Sequence, residues 1–290
     1  MACSRPHVLI TGTSSGIGKA TMEAAEAAGY HVIAGNRSSP VDAVIADDEA
    51  VSEIRLDVTD PDDIARAVAA VADHVGPRGL DGLVNVAGIG IPGPLETMSM
   101  DDLRLSLDVD FFGQVALTQP LIPLLRMARG RVVFVGSIID RVTLPFFGAL
   151  AAAKAAMASA AGTLRQELAP WGIRVILVEP GFISSGADEA TKQRIDRLAA
   201  EFPPDAAALY RDMFTTATDR GYSTQTSGTP PEGVAECIMT ALTTRRPRPR
   251  YLTGGKARRV AASGLLPQRM QDALHRRAFG LPRPGSRGSD

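Results

Sequence analysis

Short apolar runs recur along the chain, each followed by a longer stretch in which apolar residues return at helical spacing. The runs are His7–Thr11 (HVLIT), His31–Ala34 (HVIA), Ser52–Val58 (SEIRLDV), Gly82–Asn85 (GLVN), Gly130–Gly136 (GRVVFVG) and Gly172–Glu179 (GIRVILVE), with Tyr251-Leu252 as a short last one. Runs that stay apolar at consecutive positions suit strands covered on both faces, as in a parallel sheet. Helical spacing fills Gly16–Ala28, the stretch from Asp60 to about Val75, roughly Asp101–Arg129, Ala149–Ala169 and Pro230–Leu242. Gly29 can end the first helix, and Thr59-Asp60-Pro61-Asp62 offers a cap and a first-turn proline to the second. This alternation predicts an α/β fold, a doubly wound parallel sheet of Rossmann-like type with right-handed crossovers. No fixed-period repeat is present, so residues 1–257 read as one domain. Within it, residues 184–227 are rich in charge, Pro, Thr and Ser, with a helical stretch near Asp188–Glu201, and read as an inserted lid. Residues 258–290 form a basic C-terminal extension. Its part from Arg258 to Phe279 alternates basic and apolar residues, as an amphipathic helix over a cleft mouth or at a membrane surface would. The Pro-, Gly- and Arg-rich end beyond Pro282 is expected to be disordered.

Composition narrows the function classes. The chain has 290 residues, 45% of them hydrophobic, and a formal net charge of −1. That is enough to bury a full core without staples, and it gives no global attraction to nucleic acid. Charge is uneven, however. Arg245 to Asp290 holds twelve Arg or Lys and two Asp or Glu, so the rest carries −11. Gly-Pro breaks argue against stable membrane insertion of this basic tail and leave peripheral contact at most. The two cysteines, Cys3 and Cys237, fit a reducing compartment. No run approaches the ~20 apolar residues of a membrane span, and the first strand begins within a few residues of Met1 with no leader pattern. A cytoplasmic protein is the expectation.

The most informative motif is Thr11–Gly18, TGTSSGIG, which follows the first strand and opens the first helix. Gly12, Gly16 and Gly18 permit a tight turn and close backbone approach. Ser14, Ser15, Ile17 and the free N–H groups of the helix start would meet a pyrophosphate. The spacing Gly-x3-Gly-x-Gly resembles the short-chain dehydrogenase/reductase family rather than ordinary dinucleotide folds. Other pieces agree: Asp57-Val58 after the third strand, Asn85-Val86-Ala87-Gly88 in place of an Asn-Asn-Ala-Gly motif, Ser137 after the fifth strand, and Pro180-Gly181 after the sixth. The resemblance covers roughly residues 7–252 and is nearest the branch of hydroxysteroid and retinol dehydrogenases. It implies that Asp57 and Val58 lie at adenine, and that Asn85, Ala87, Gly88, Pro180, Gly181 and Ile183 line the rest of the cofactor groove. An acidic residue at the end of the second strand would select NAD. Here Asn36 and Arg37 stand there. Asn does not repel a 2′-phosphate and Arg can grip one, so NADP(H) is expected and NAD is the less favoured cofactor.

The same resemblance implies a Ser, Tyr, Lys and Asn around the reacting carbonyl, with Tyr and Lys four apart on one helix. Ser137 and Lys154 are present. Four residues before Lys154 stands Leu150, and the Asn position holds Asp110. Leucine moves no proton, and losing a positioned general acid costs ~10²–10⁴ in rate, or about 3–5 kcal/mol of barrier. Asp110 could pair with Lys154, which would leave ribose binding in place while removing any role for Lys154 as a base. The candidate catalytic set is therefore Ser137, Lys154 and Asp110. Three readings stay open: an oxidoreductase with non-standard proton chemistry, acting on an iminium or conjugated substrate, with Tyr210 or Tyr222 of the lid as substitute donors; a cyclase or isomerase using the cofactor structurally; and a catalytically inactive NADP(H)-binding, regulatory protein. Ile138, Ile139, Phe147 and Leu150, with Ile89, Ile91, Leu144 and Phe146, make an apolar substrate cleft suited to a hydrophobic small molecule. The Ala-rich helix 149–169 lets a second copy approach, and by the resemblance a homodimer or homotetramer is expected. The four histidines show no metal-like spacing, so no metal is expected and they are read as structural or surface residues.

Overall fold

The computed structural model describes residues 5–40, 45–46, 49–184 and 188–286, the side chains of 188–191 and 194 excepted. Seven parallel strands form one sheet in the order β3-β2-β1-β4-β5-β6-β7. They are β1 His7–Thr11, β2 His31–Asn36, β3 Val51–Arg55, β4 Gly82–Asn85, β5 Arg131–Val135, β6 Arg174–Pro180 and β7 Arg250–Thr253. The helices are α1 Gly16–Ala27, α2 Pro61–Val75, α3 Met100–Leu107, α4 Gly113–Ala128, α5 Gly148–Leu168, α6 Asp188–Ala200, α7 Pro204–Thr226, α8 Pro231–Thr243, α9 Ala257–Ser263 and α10 Gln268–Phe279. The doubly wound parallel sheet read from the sequence is thus the observed fold. Strand parity sorts the core into two layers. Leu9, Ile33, Leu83, Val132, Phe134 and Leu177 face α2, α4 and α5. Val8, Ile10, Val32, Val84, Val133 and Val178 face α8 and α1. Every residue of β1 and β2 is buried, which is why those runs carry no polar alternation.

Asp60 caps α2, its carboxylate accepting from the Asp62 and Asp63 amides. Asp63 is fully buried behind it, accepts from the Asp57 amide at 3.0 Å and pairs with Arg55 and Arg66. Burial opposes the charged form of Asp63, but the backbone bond and the two guanidinium groups outweigh it and hold its carboxyl below the usual range.

The structure corrects three sequence expectations. The single helix over Asp101–Arg129 is two helices, because Asp108–Phe112 is a π-helical turn between α3 and α4. A π-turn slips the apolar pattern by a single position while helical spacing continues on both sides, so spacing alone reads the two helices as one. The lid holds a second and longer helix, α7; its residues 185–187 lie outside the described residues. The amphipathic tail is two helices, α9 and α10, joined by an exposed Leu265-Leu266 turn. The described residues run past Pro282 to Ser286 without helix or strand, and residues 287–290, like 1–4 with Cys3, lie outside the described residues.

Candidate active site

Strand order reverses between β1 and β4, whose ends open a crevice at the topological switch point. Thr11 holds the two ends in register, its hydroxyl accepting from the Val86 and Ala87 amides at 3.0 Å each. The phosphate loop bridges β1 to α1. At Gly18 a side chain would bring a Cβ within 2.0 Å of the Gly12 carbonyl oxygen, so only glycine lets α1 start this close to the strand. Ser15, the N-cap of α1, makes no capping bond, and the first turn contains no acidic residue. The amides of that turn and the positive end of the helix dipole are therefore available to an anion. This arrangement fits a pyrophosphate.

From this loop a cleft of about 760 Å³ runs along the C-terminal edge of the sheet. Of the expected cofactor residues, Gly12, Ser14, Ser15, Gly16, Ile17, Gly18, Gly88, Lys154, Pro180, Gly181 and Ile183 line it. Asn36, Arg37, Asp57, Val58, Asn85 and Ala87 do not. The Asn36 carboxamide oxygen accepts from the Ser38 amide and hydroxyl at 3.0 and 3.1 Å. Arg37 is exposed at the end of β2. Asp57 accepts from the Thr59 amide and hydroxyl. Asn85 is fully buried and donates to the Thr118 hydroxyl at 3.2 Å, pinning β4 to α4. Gln114, which the sequence reading missed, donates to the Ala87 carbonyl at 2.9 Å and fixes the loop after β4.

The π-helical turn carries Asp110 inward, where it is fully buried. One carboxylate oxygen lies 2.9 Å from Lys154 Nζ, and the other accepts from the Ile89 amide at 3.2 Å. Lys154 also donates to the Val135 carbonyl at 3.0 Å. The ion pair weighed from the sequence is formed, and its ammonium is held from two sides. One helical turn before Lys154, Leu150 joins the cleft wall and packs in an apolar cluster with Ile138 and Ile139. Ser137 lines the cleft and also caps the turn Ile138–Asp140, its hydroxyl accepting from the Ile139 amide at 3.4 Å. Phe147, Leu144 and Ile89 line the cleft as expected. Ile91 is buried in the core instead, and Phe146, at φ +67°, packs edge-on against Phe214.

The far wall was not foreseen in detail. Ile195 of α6, Thr218, Gly221, Tyr222 and Gln225 of α7 and Phe279 of α10 form it. Tyr222 is the only tyrosine among the described residues that lines the cleft. Tyr210 donates its hydroxyl to Glu96 outside it. Phe279 is positioned by an unusual clasp. Gly280 ends α10 at φ +72°, and the Arg220 guanidinium lies so close over it that a Cβ there would come within 2.7 Å. Arg220 donates to the Arg277 and Ala278 carbonyls at 3.1 and 3.3 Å.

Beside the Ser137 turn lies a charge cluster in which two buried carboxylates meet two partly exposed arginines. Glu179 accepts from Arg141 at 2.5 and 2.8 Å and from Arg250 at 2.8 and 2.7 Å. Arg250 also donates to Asp140 at 2.7 Å. Burial alone would raise Glu179, but the two guanidinium groups hold its carboxyl below the ordinary range. Burial, and then the neighbouring Glu179, push Asp140 up to about 7. The cluster locks β6, β7 and the Ser137 turn together.

No helix among the described residues is long and apolar enough to cross a membrane. Residues 6–196 match the short chain dehydrogenase family. Retinol dehydrogenase 5 of Mus musculus is 32% identical over 98% of this chain and 91% of its own. A short-chain dehydrogenase from Streptomyces avermitilis superposes with a TM-score of 0.74 at 30% identity, covering 94% of this chain and 95% of that one. A short-chain dehydrogenase from Burkholderia cenocepacia, solved in complex with NADP, superposes with a TM-score of 0.69 at 25% identity over 96% and 99%. Sheet order, phosphate loop and these likenesses agree, and the chain belongs to the short-chain dehydrogenase family of oxidoreductases.

Proposed function

We propose that the protein is an NADP(H)-dependent oxidoreductase for a hydrophobic small molecule, in which proton transfer does not run through a tyrosine beside the lysine. The observation that carries this reading is the pairing of an intact cofactor groove with Leu150 at the reacting end. When bound, the nicotinamide group supplies or accepts a hydride. The α1 amides and Ser14 and Ser15 would hold the pyrophosphate, and Lys154 would hold the ribose. Asn36 and Arg37, with no carboxylate at the end of β2, favour the 2′-phosphate, and the relative solved with NADP supports that cofactor. Asp110 keeps Lys154 in place and occupied. Ser137 remains able to bond a polar atom of the substrate.

Leu150, Ile138, Ile139, Leu144 and Phe147 exclude water and suit an apolar ligand. An iminium, which becomes a neutral amine on hydride addition, needs no acid at this point and fits a wall without a donor; a conjugated carbonyl would leave an enolate that takes its proton from water at the cleft mouth. Where a proton is required, Tyr222 on the opposite cleft wall is the candidate donor. The Ala-rich outer face of α5 and the exposed Phe112 beside it support a homodimer, read by size-exclusion with light scattering.

The test begins with titration of NADPH and NADH. Much tighter NADPH binding supports the cofactor reading, and no binding of either overturns it. Iminium, enone and polycyclic substrates are then screened for NADPH oxidation. Leu150→Tyr is expected to raise ketone reduction by ~10²–10⁴, the value of a positioned general acid. Tight NADPH binding with no oxidation by wild type or variant would replace catalysis by cofactor sensing.

A further inference from the structure

The end of the sheet opposite the cofactor cleft gathers three of the chain's four histidines. His7 and His31 are the first residues of β1 and β2 and face one another in register. By parity they share the face of Leu9 and Ile33, which α2 covers. His74 stands in the last turn of α2, where that helix returns to the same edge. The ring centroids lie 5.3 Å apart for His7 and His31, 5.0 Å for His7 and His74, and 4.5 Å for His31 and His74. One ring nitrogen from each lies within 4.8 Å of the others. His7 and His31 are each 4% exposed, while His74 is half-buried.

We propose that His7, His31 and His74 form a binding site for one divalent transition-metal ion, with Zn²⁺ as its best-fitting occupant. Three imidazoles without a carboxylate among them favour zinc, nickel, copper or cobalt over magnesium or calcium. Around zinc at Zn–N of ~2.0–2.1 Å, tetrahedral ligand nitrogens stand ~3.4 Å apart. The present spread closes to that with roughly 1 Å of movement at each ring, within reach of small side-chain rotations. Because the ligands come from β1, β2 and α2, a bound ion ties together the N-terminal half of the sheet. It does so from the end of β1 remote from the phosphate loop. The site is independent of the oxidoreductase reading.

The experiment uses the full chain without an affinity tag, stripped with a chelator and titrated with ZnCl₂ by calorimetry. Co²⁺ is used as a visible-absorption probe. One Zn²⁺ per chain, a raised melting temperature and the d–d bands of four-coordinate Co²⁺ are expected. His74→Gln and His31→Gln should each weaken Zn²⁺ binding by more than about 10-fold, the lower end of what even an indirect ligand partner is worth. His275→Gln, outside the cluster, should leave binding unchanged. Circular dichroism reads the fold of each variant. Because His74 is half-buried at a helix end, its variant keeps the comparison usable if His31→Gln unfolds. Absence of saturable one-to-one binding, or undiminished binding in a folded His74→Gln protein, would overturn the site and leave a stacked imidazole cluster.

Discussion

At the scale of single residues, the paired charges of Asp110 and Lys154 decide what the reacting end of the cleft can do. Both are buried, so removing one leaves the other without its counter-charge. Lys154→Met is expected to destabilise the fold by about 3–5 kcal/mol in urea unfolding, and the double variant Asp110→Asn/Lys154→Met to recover much of that loss. Strictly additive losses would show that the pair is not coupled. Asp140 gives a second, pH-dependent expectation. Its carboxyl titrates from 3.8 up to about 7 on folding, so the folded state holds that proton more tightly. Its contribution is fully present below about pH 4 and is lost as pH rises through 7. Glu179 acts oppositely, with a lowered value and a window below its ordinary 4.5. Asp140→Asn should therefore gain melting temperature relative to wild type between pH 5 and 8. An unchanged difference across that range would contradict the upward push on the Asp140 carboxyl. Ser137, Lys154, Leu150 and Asp110 were readable because the resemblance to the short-chain dehydrogenases assigns a role to each of their positions. The ion pair itself was only one option, since the sequence does not show which way the π-helical turn aims Asp110.

Among elements, legibility followed burial. β1, β2, β4 and β5 are apolar at almost every position and were found within a few residues. α7 was missed because its Thr-, Ser- and Gly-containing sequence has weak helical patterning, and its helicity rests on packing against α6 and α10. The three-histidine cluster was invisible because its members meet only once strand order and the exit of α2 are known. The clasp between α7 and α10 was unreadable for the same reason. It makes a specific expectation: Arg220→Ala removes the side chain that satisfies the last carbonyls of α10, at a cost of ~1 kcal/mol. Hydrogen exchange should then speed up in Gln268–Phe279 and stay unchanged in β1 and β4. Equal acceleration everywhere would mean that α10 opens only with global unfolding.

For the molecule as a whole, the sheet is covered on both faces and the cleft lies across its carboxyl edge, so cofactor binding and folding are linked. NADPH at about 100 times its dissociation constant should add roughly 2.7 kcal/mol. For a chain of this size that is a rise of about 5 °C in melting temperature, with NADH at equal concentration giving less. Equal shifts for both would remove the argument from Asn36 and Arg37. The basic region from Arg245 onward supplies β7, α9 and α10, and so belongs to the folded body as well as to its charge asymmetry.

Phe279 closes part of the cleft from a helix that two donated bonds and a glycine hold against α7. Ligand residence would then be timed by how often that helix lets go, not by the strength of any contact near Lys154. Dissociation would carry the steep temperature dependence of a small unfolding event. A substitution at Arg220, remote from the reacting atoms, would change how long product stays while leaving the transfer step itself untouched.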